Sequence, residues 1–90
     1  MFKSKRGNMP EITRFYGIII KLFFGDHPPP HFHAVYGEYN GIFSIEPIEI
    51  IEGDLPNRAK KMIFEWASAY QSELLEIWNT QEFRKLPPLK

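Results

Sequence analysis

The three histidines of the chain all fall in one run, Asp26-His27-Pro28-Pro29-Pro30-His31-Phe32-His33. Imidazole suits three tasks: ligating a metal through a neutral nitrogen, moving protons near neutral pH, and donating to a phosphate when protonated. If His31 opens a strand, His31 and His33 project from one face, because side chains on a strand repeat every two residues. That parity suits a metal site on His31 and His33, to which Asp26 or Glu38 adds a carboxylate; Glu38 has the wrong parity unless a turn redirects it. A proton-transfer reading makes His27, His31 and His33 the catalytic residues of a small metal-independent ribonuclease. Asp26 then binds beside them, and Arg14, Lys21 and Arg58 are the phosphate-binding cations. No serine or cysteine adjoins the histidines, so covalent catalysis has no signal. The plainest alternative is structural: Asp26 accepts backbone N–H groups at a turn, and the ring nitrogens tie the loop to a sheet.

The elements that must position this run follow from the flanking sequence. β-Branched and aromatic residues dominate 12–16 and 17–24, which predicts two strands with a tight turn or bulge at Tyr16-Gly17. Three prolines stiffen the loop after Asp26 and donate no N–H to a ladder. Alternation resumes over 31–36 and returns over 42–46; Gly37-Glu38-Tyr39-Asn40-Gly41 supplies turn chemistry between them, with Asn40-Gly41 the strongest hairpin signal, and 48–51 is a candidate short edge strand. Asp54 is placed to cap a helix with Pro56 in its first turn. Ala59, Ile63, Trp66, Tyr70, Leu74 and Ile77 then recur at three- and four-residue steps, which predicts one long core-facing helix. The expected fold is α+β: a small antiparallel β-meander of four to five strands packed against that single C-terminal helix.

Phe64, Ala67, Leu75 and Trp78 widen the apolar stripe beyond what a small sheet must cover. Phe64, Leu75 and Trp78 are therefore expected to meet a partner, either another protein or a second copy in a homo-oligomer. Lys60 and Lys61 beside Arg58 read as a solvated face.

At 90 residues, 43% hydrophobic and 24% charged, the chain fits one domain with a thin core rich in aromatic rings. The expected organisation is a flexible lead over 1–8, a single domain over 9–79, and a short helical turn and extended tail over 80–90. Eleven basic and eleven acidic side chains cancel, so RNA would have to bind a local patch rather than a global positive field. The absence of cysteine removes disulfides and thiolate zinc sites and makes a cytoplasmic location the simplest expectation. The longest apolar run, 17–24, is interrupted by Lys21 and falls well short of the roughly 20 residues a membrane helix needs. Neither membrane association nor a cofactor is expected.

Met9-Pro10-Glu11-Ile12, the central run from Asp26 to His33, the strand from Gly41 to Pro47 and the helix ending Glu73-Leu74-Leu75-Glu76-Ile77-Trp78 together resemble the bacterial domain-of-unknown-function family 4160. The resemblance extends from about Met9 to Trp78, and Asp-His-x-Pro-Pro-x-His is its most specific part. It implies a toxin–antitoxin-like module and a cognate small partner protein, for example of domain-of-unknown-function family 2442, bound through the sheet edge or the helix. It implies no catalytic residues. The spacing of Gly25, His31, His33 and Glu38 also matches most of the first cupin metal motif, but the second motif is missing and the helix consumes the chain a double-stranded barrel would need.

Overall fold

Short runs of β-branched and aromatic residues separated by glycine-bearing turns pair most readily with their sequence neighbours. The computed structural model describes residues 10–23 and 25–90. Its strands are β1 (Glu11–Phe15), β2 (Ile18–Lys21), β3 (His31–Tyr36), β4 (Tyr39–Ile45) and β5 (Ile48–Gly53). They form one sheet in sequence order, each neighbouring pair antiparallel, which is the expected meander. The lead over 1–8, Met9 and Phe24 lie outside the described residues.

The β1–β2 turn is Tyr16-Gly17, with φ of 46° and 82°, the positive values that two-residue hairpins favour. The β3–β4 turn falls within the expected stretch 37–41, but at its start and not at Asn40-Gly41. Tyr36 pairs with Tyr39, so Gly37 and Glu38 make the turn, Gly37 supplying the positive φ, and Asn40-Gly41 lies inside β4. Gly41 serves close packing instead: a Cβ there would sit 2.6 Å from Leu55 Cδ1, and Leu55 is buried. Gly53 has a stricter requirement, since its φ is +112° and a Cβ would collide with the Asn40 carbonyl oxygen. Gly53→Ala is expected to destabilise the fold by about 1–3 kcal/mol through backbone strain. An unchanged urea midpoint would show that the β5 terminus tolerates a side chain.

Alternation sorts the sheet into two faces. Phe32 and Ala34 of β3 are buried with Ile18, Ile20, Phe43 and Ile45, while His31, His33 and Val35 are only partly covered. The helices cover the buried face through Ala59, Ile63, Trp66, Ala67, Leu74 and Ile77. They are two, α1 (Asn57–Ala69) and α2 (Gln71–Thr80), where one long helix was expected. At Tyr70 the backbone leaves helical geometry, with φ −116° and ψ 24°. No glycine or proline marks the break. It coincides with a tertiary contact: the Gln71 side-chain amide donates to the Ile45 carbonyl at 2.7 Å. The apolar stripe stays in phase across it.

The helix start also differs. Pro56 is the cap residue and no side chain caps α1, because the Asp54 N–H is tied to the Asn40 carbonyl at the end of the sheet. Residues 81–90 contain no helical turn. They run back to β1, where the Leu86 N–H donates to the Ile12 carbonyl and the Trp66 indole N–H donates to the Pro87 carbonyl at 2.7 Å. Among the described residues, no helix is long and apolar enough to cross a membrane.

Candidate metal centre

The loop joining β2 to β3 turns back over the partly open sheet face, and this brings Asp26 to the two histidines of β3. Strand parity aims His31 and His33 to the same side as each other, as their spacing predicts. The Asp26 Oδ2 atom lies 2.9 Å from His31 Nε2 and 3.8 Å from His33 Nε2. The ligand atoms of Asp26, His31 and His33 all lie within 4.8 Å of one another. Asp26 is itself braced by the His27 backbone N–H, which donates to Oδ1 at 3.1 Å.

Aromatic rings wall the group. Phe23 stacks on His33 with centroids 4.1 Å apart, and Trp78 lies against His31 at 5.0 Å. The end of α2 holds the loop as well: the Gly25 N–H donates to Gln81 Oε1, and the Gln81 amide donates to the Trp78 carbonyl. Phe23 and Gln81 were not singled out from the sequence. The parity of Phe23 against the buried Leu22 is a signal that could have found it; nothing local marks Gln81.

Hydrogen bonding at the group is incomplete. His31 Nδ1 lies 2.8 Å from the Pro29 carbonyl, to which it donates, so the 2.9 Å approach of Nε2 to the Asp26 carboxylate needs a second proton on the ring or a cation. Two acceptors facing each other are satisfied only by a proton or a cation between them. His33 Nε2 is buried with no hydrogen-bond partner, its distance to Asp26 being too long for one. Ligand atoms about 2.0–2.2 Å from a zinc ion stand about 3–3.5 Å apart, and the observed 2.9 and 3.8 Å bracket that spacing. A ring N–H held by a backbone carbonyl, as in His31, is the usual second partner of a ligating histidine. The two Asp26–imidazole spacings are thus near those found around a divalent ion, and the three ligand atoms together lie within 4.8 Å.

Burial pushes the His33 pKa down, reinforced by the nearby His31 and only partly opposed by Asp26 and Glu52. Burial works against ionisation of Asp26, but the His31 hydrogen bond, the His27 N–H and the two imidazoles outweigh it, and its pKa is lowered. Both shifts have the same consequence in chelator-treated protein. Each group binds its proton less readily when folded, so the unfolded chain takes up more protons and stability falls as pH falls. The His33 contribution is complete above the ordinary histidine value of about 6.5 and is lost as pH falls through its lower folded value. The Asp26 contribution is lost further down, below the ordinary carboxylate value of 3.8. The urea midpoint is expected to drop as pH falls below about 6.5, and His33→Ala should flatten that drop. A midpoint that rises on acidification would contradict the assigned directions.

The other sequence candidates do not converge here. The His27 side chain is exposed and outside the group, so the three imidazoles do not form one cluster. Arg14 is committed to Glu11 through two hydrogen bonds of 2.9 and 2.8 Å. Lys21 pairs in register with His33 and shares its face, whereas Arg58 is exposed in the first turn of α1. Of the expected partner-facing residues, Phe64 is 52% exposed, while Leu75 and Trp78 pack against the core. Ala67 is fully buried.

A family model described as Domain of unknown function (DUF4160) matches residues 17–79, a stretch that contains Asp26, His31 and His33 and excludes β1 and the tail. No curated protein and no solved structure matches the chain.

Proposed function

The chain belongs to the DUF4160 family, and on that premise we propose that it is a metal-binding domain in which Asp26, His31 and His33 hold one divalent transition-metal ion. The observation that carries this reading is the buried His33 Nε2, which has no hydrogen-bond partner and stands beside a carboxylate and a second imidazole. Two imidazoles and a carboxylate suit zinc, iron(II) or manganese, and for a given nitrogen-rich site zinc binds more tightly than the latter two. Three protein ligands leave coordination positions open, as in sites where an ion polarises a substrate or activates water rather than only holding a fold together.

The test is calorimetric titration of tag-free, chelator-treated protein with Zn²⁺, together with the visible absorption spectrum of the Co²⁺ form. One ion per chain and a tetrahedral or five-coordinate cobalt spectrum are expected. Absence of stoichiometric binding to either metal would remove the proposal.

A second reading, membership of a two-component module with a cognate small protein, draws on a different feature: the exposed Phe64 on α1 and the outer edge of β5, where Ile51 is 54% exposed. Co-expression with a small protein of domain-of-unknown-function family 2442 is expected to yield a complex that survives size-exclusion chromatography. Elution of the two proteins apart would count against it.

A further inference from the structure

The chain is neutral overall, but its charges are unevenly distributed. Between Ala34 and Asn57 the acids Glu38, Glu46, Glu49, Glu52 and Asp54 occur with no lysine, arginine or histidine among them. This stretch builds β4 and β5, and β5 ends the sheet, paired with β4 on one side only. At the other end of the sheet, β1 is met by the tail through the Leu86 N–H. Among the described residues, no strand pairs with the outer side of β5.

An edge strand offers unpaired backbone donors and acceptors that another strand can use. Glu49 pairs with Ser44, and Glu52 pairs with Ile42. Ser44 and Ile42 in turn lie opposite His31 and His33, so both glutamates point to the partly open face. The register shifts between these pairs, which leaves Ile51 as the extra residue of a bulge, 54% exposed. The edge therefore presents an exposed apolar side chain between two exposed carboxylates.

We propose that β5 is the docking edge for an extended, basic segment of a partner protein. That segment adds a sixth strand, with lysine or arginine against Glu49 and Glu52 and an apolar side chain against Ile51. A second copy fits poorly. Two β5 strands paired antiparallel about their centres would set Glu49 against Glu52, and like charges directly opposite destabilise a pair. Charges on an edge strand commonly serve to prevent pairing; an edge of one sign excludes its own copies but accepts the opposite sign.

The proposal deepens the partner reading above, and its test is separate from co-expression. Isotope-labelled full-length protein is titrated at low ionic strength with an alternating lysine–valine octapeptide, its glutamate–valine counterpart, and the lysine–valine peptide N-methylated at every backbone amide. The lysine–valine peptide is expected to shift and protect the amides of residues 48–53, while the glutamate peptide has no effect. The double variant Glu49→Lys, Glu52→Lys alters two exposed side chains, so its fold, checked by circular dichroism, is retained and its affinity falls about tenfold. Binding of the N-methylated peptide with equal affinity would reduce the effect to charge attraction and overturn strand addition. So would amide shifts centred elsewhere, no response at all, or a dimer paired through β5 by light scattering. Co-expression can fail for want of the right partner while the peptide result stands, and a complex that leaves the β5 amides unprotected would preserve the partner reading and sink this one.

Discussion

Trp66→Ala is expected to leave the protein largely unfolded at ambient temperature. Trp66 is 0% exposed and is the largest fully buried side chain. Its ring meets Phe15 at 5.8 Å, Phe32 at 6.2 Å and Tyr70 at 5.6 Å, so it joins β1, β3 and the break between the helices. Truncating a buried tryptophan costs about 3–5 kcal/mol in lost transfer energy and residual cavity. Domains are stable by only about 5–15 kcal/mol, and a chain of this size belongs near the lower end. The indole also donates to the Pro87 carbonyl, so the substitution releases the tail from the core at the same time. Trp66→Phe keeps most of the ring volume and loses only that donor, and about 1–2 kcal/mol is the expected cost. Urea denaturation followed by circular dichroism checks both. A Trp66→Ala protein with a near-normal midpoint would mean that the helix stripe is not the centre of the core.

That stripe was legible because residues on one helix face recur at fixed spacing, and the strands were legible because half-buried strands alternate. Strand parity alone also put His31 and His33 together. What sequence could not supply were features set by contacts distant along the chain. The break at Tyr70 has no local breaker and coincides with the hydrogen bond from the Gln71 amide to the distant Ile45 carbonyl. Asn40-Gly41 looked like a turn because glycine permits positive φ, but at Gly41 the demand is space for Leu55. At the site, the approach of Asp26 and the exclusion of the His27 ring depend on the path of a proline-rich loop that the end of α2 holds through Gln81. The same chain neighbourhood thus contains two histidines whose positions follow from periodicity and one whose position does not.

Removing His33 is expected to separate binding from folding at the proposed metal centre. Altering residues that merely orient a metal ligand typically lowers affinity about 10- to 100-fold, so loss of one of only three ligands should exceed that range. His33→Ala should therefore abolish measurable Zn²⁺ binding. The metal-free fold should change little, because the lost nitrogen is a buried acceptor that has no partner to lose, although the stacking contact with Phe23 is given up. His31→Ala makes the informative contrast. It removes a ligand together with the Pro29 hydrogen bond and the contact with Trp78, so it should lower both metal affinity and the urea midpoint. Asp26→Asn keeps the shape but replaces the anionic ligand, and its loss of affinity should come with only a small change in stability. Zinc calorimetry beside urea denaturation on the three variants gives the required pairs of values. A His33→Ala protein that still binds one ion with undiminished affinity would exclude this nitrogen as a ligand and return the histidines to a structural role.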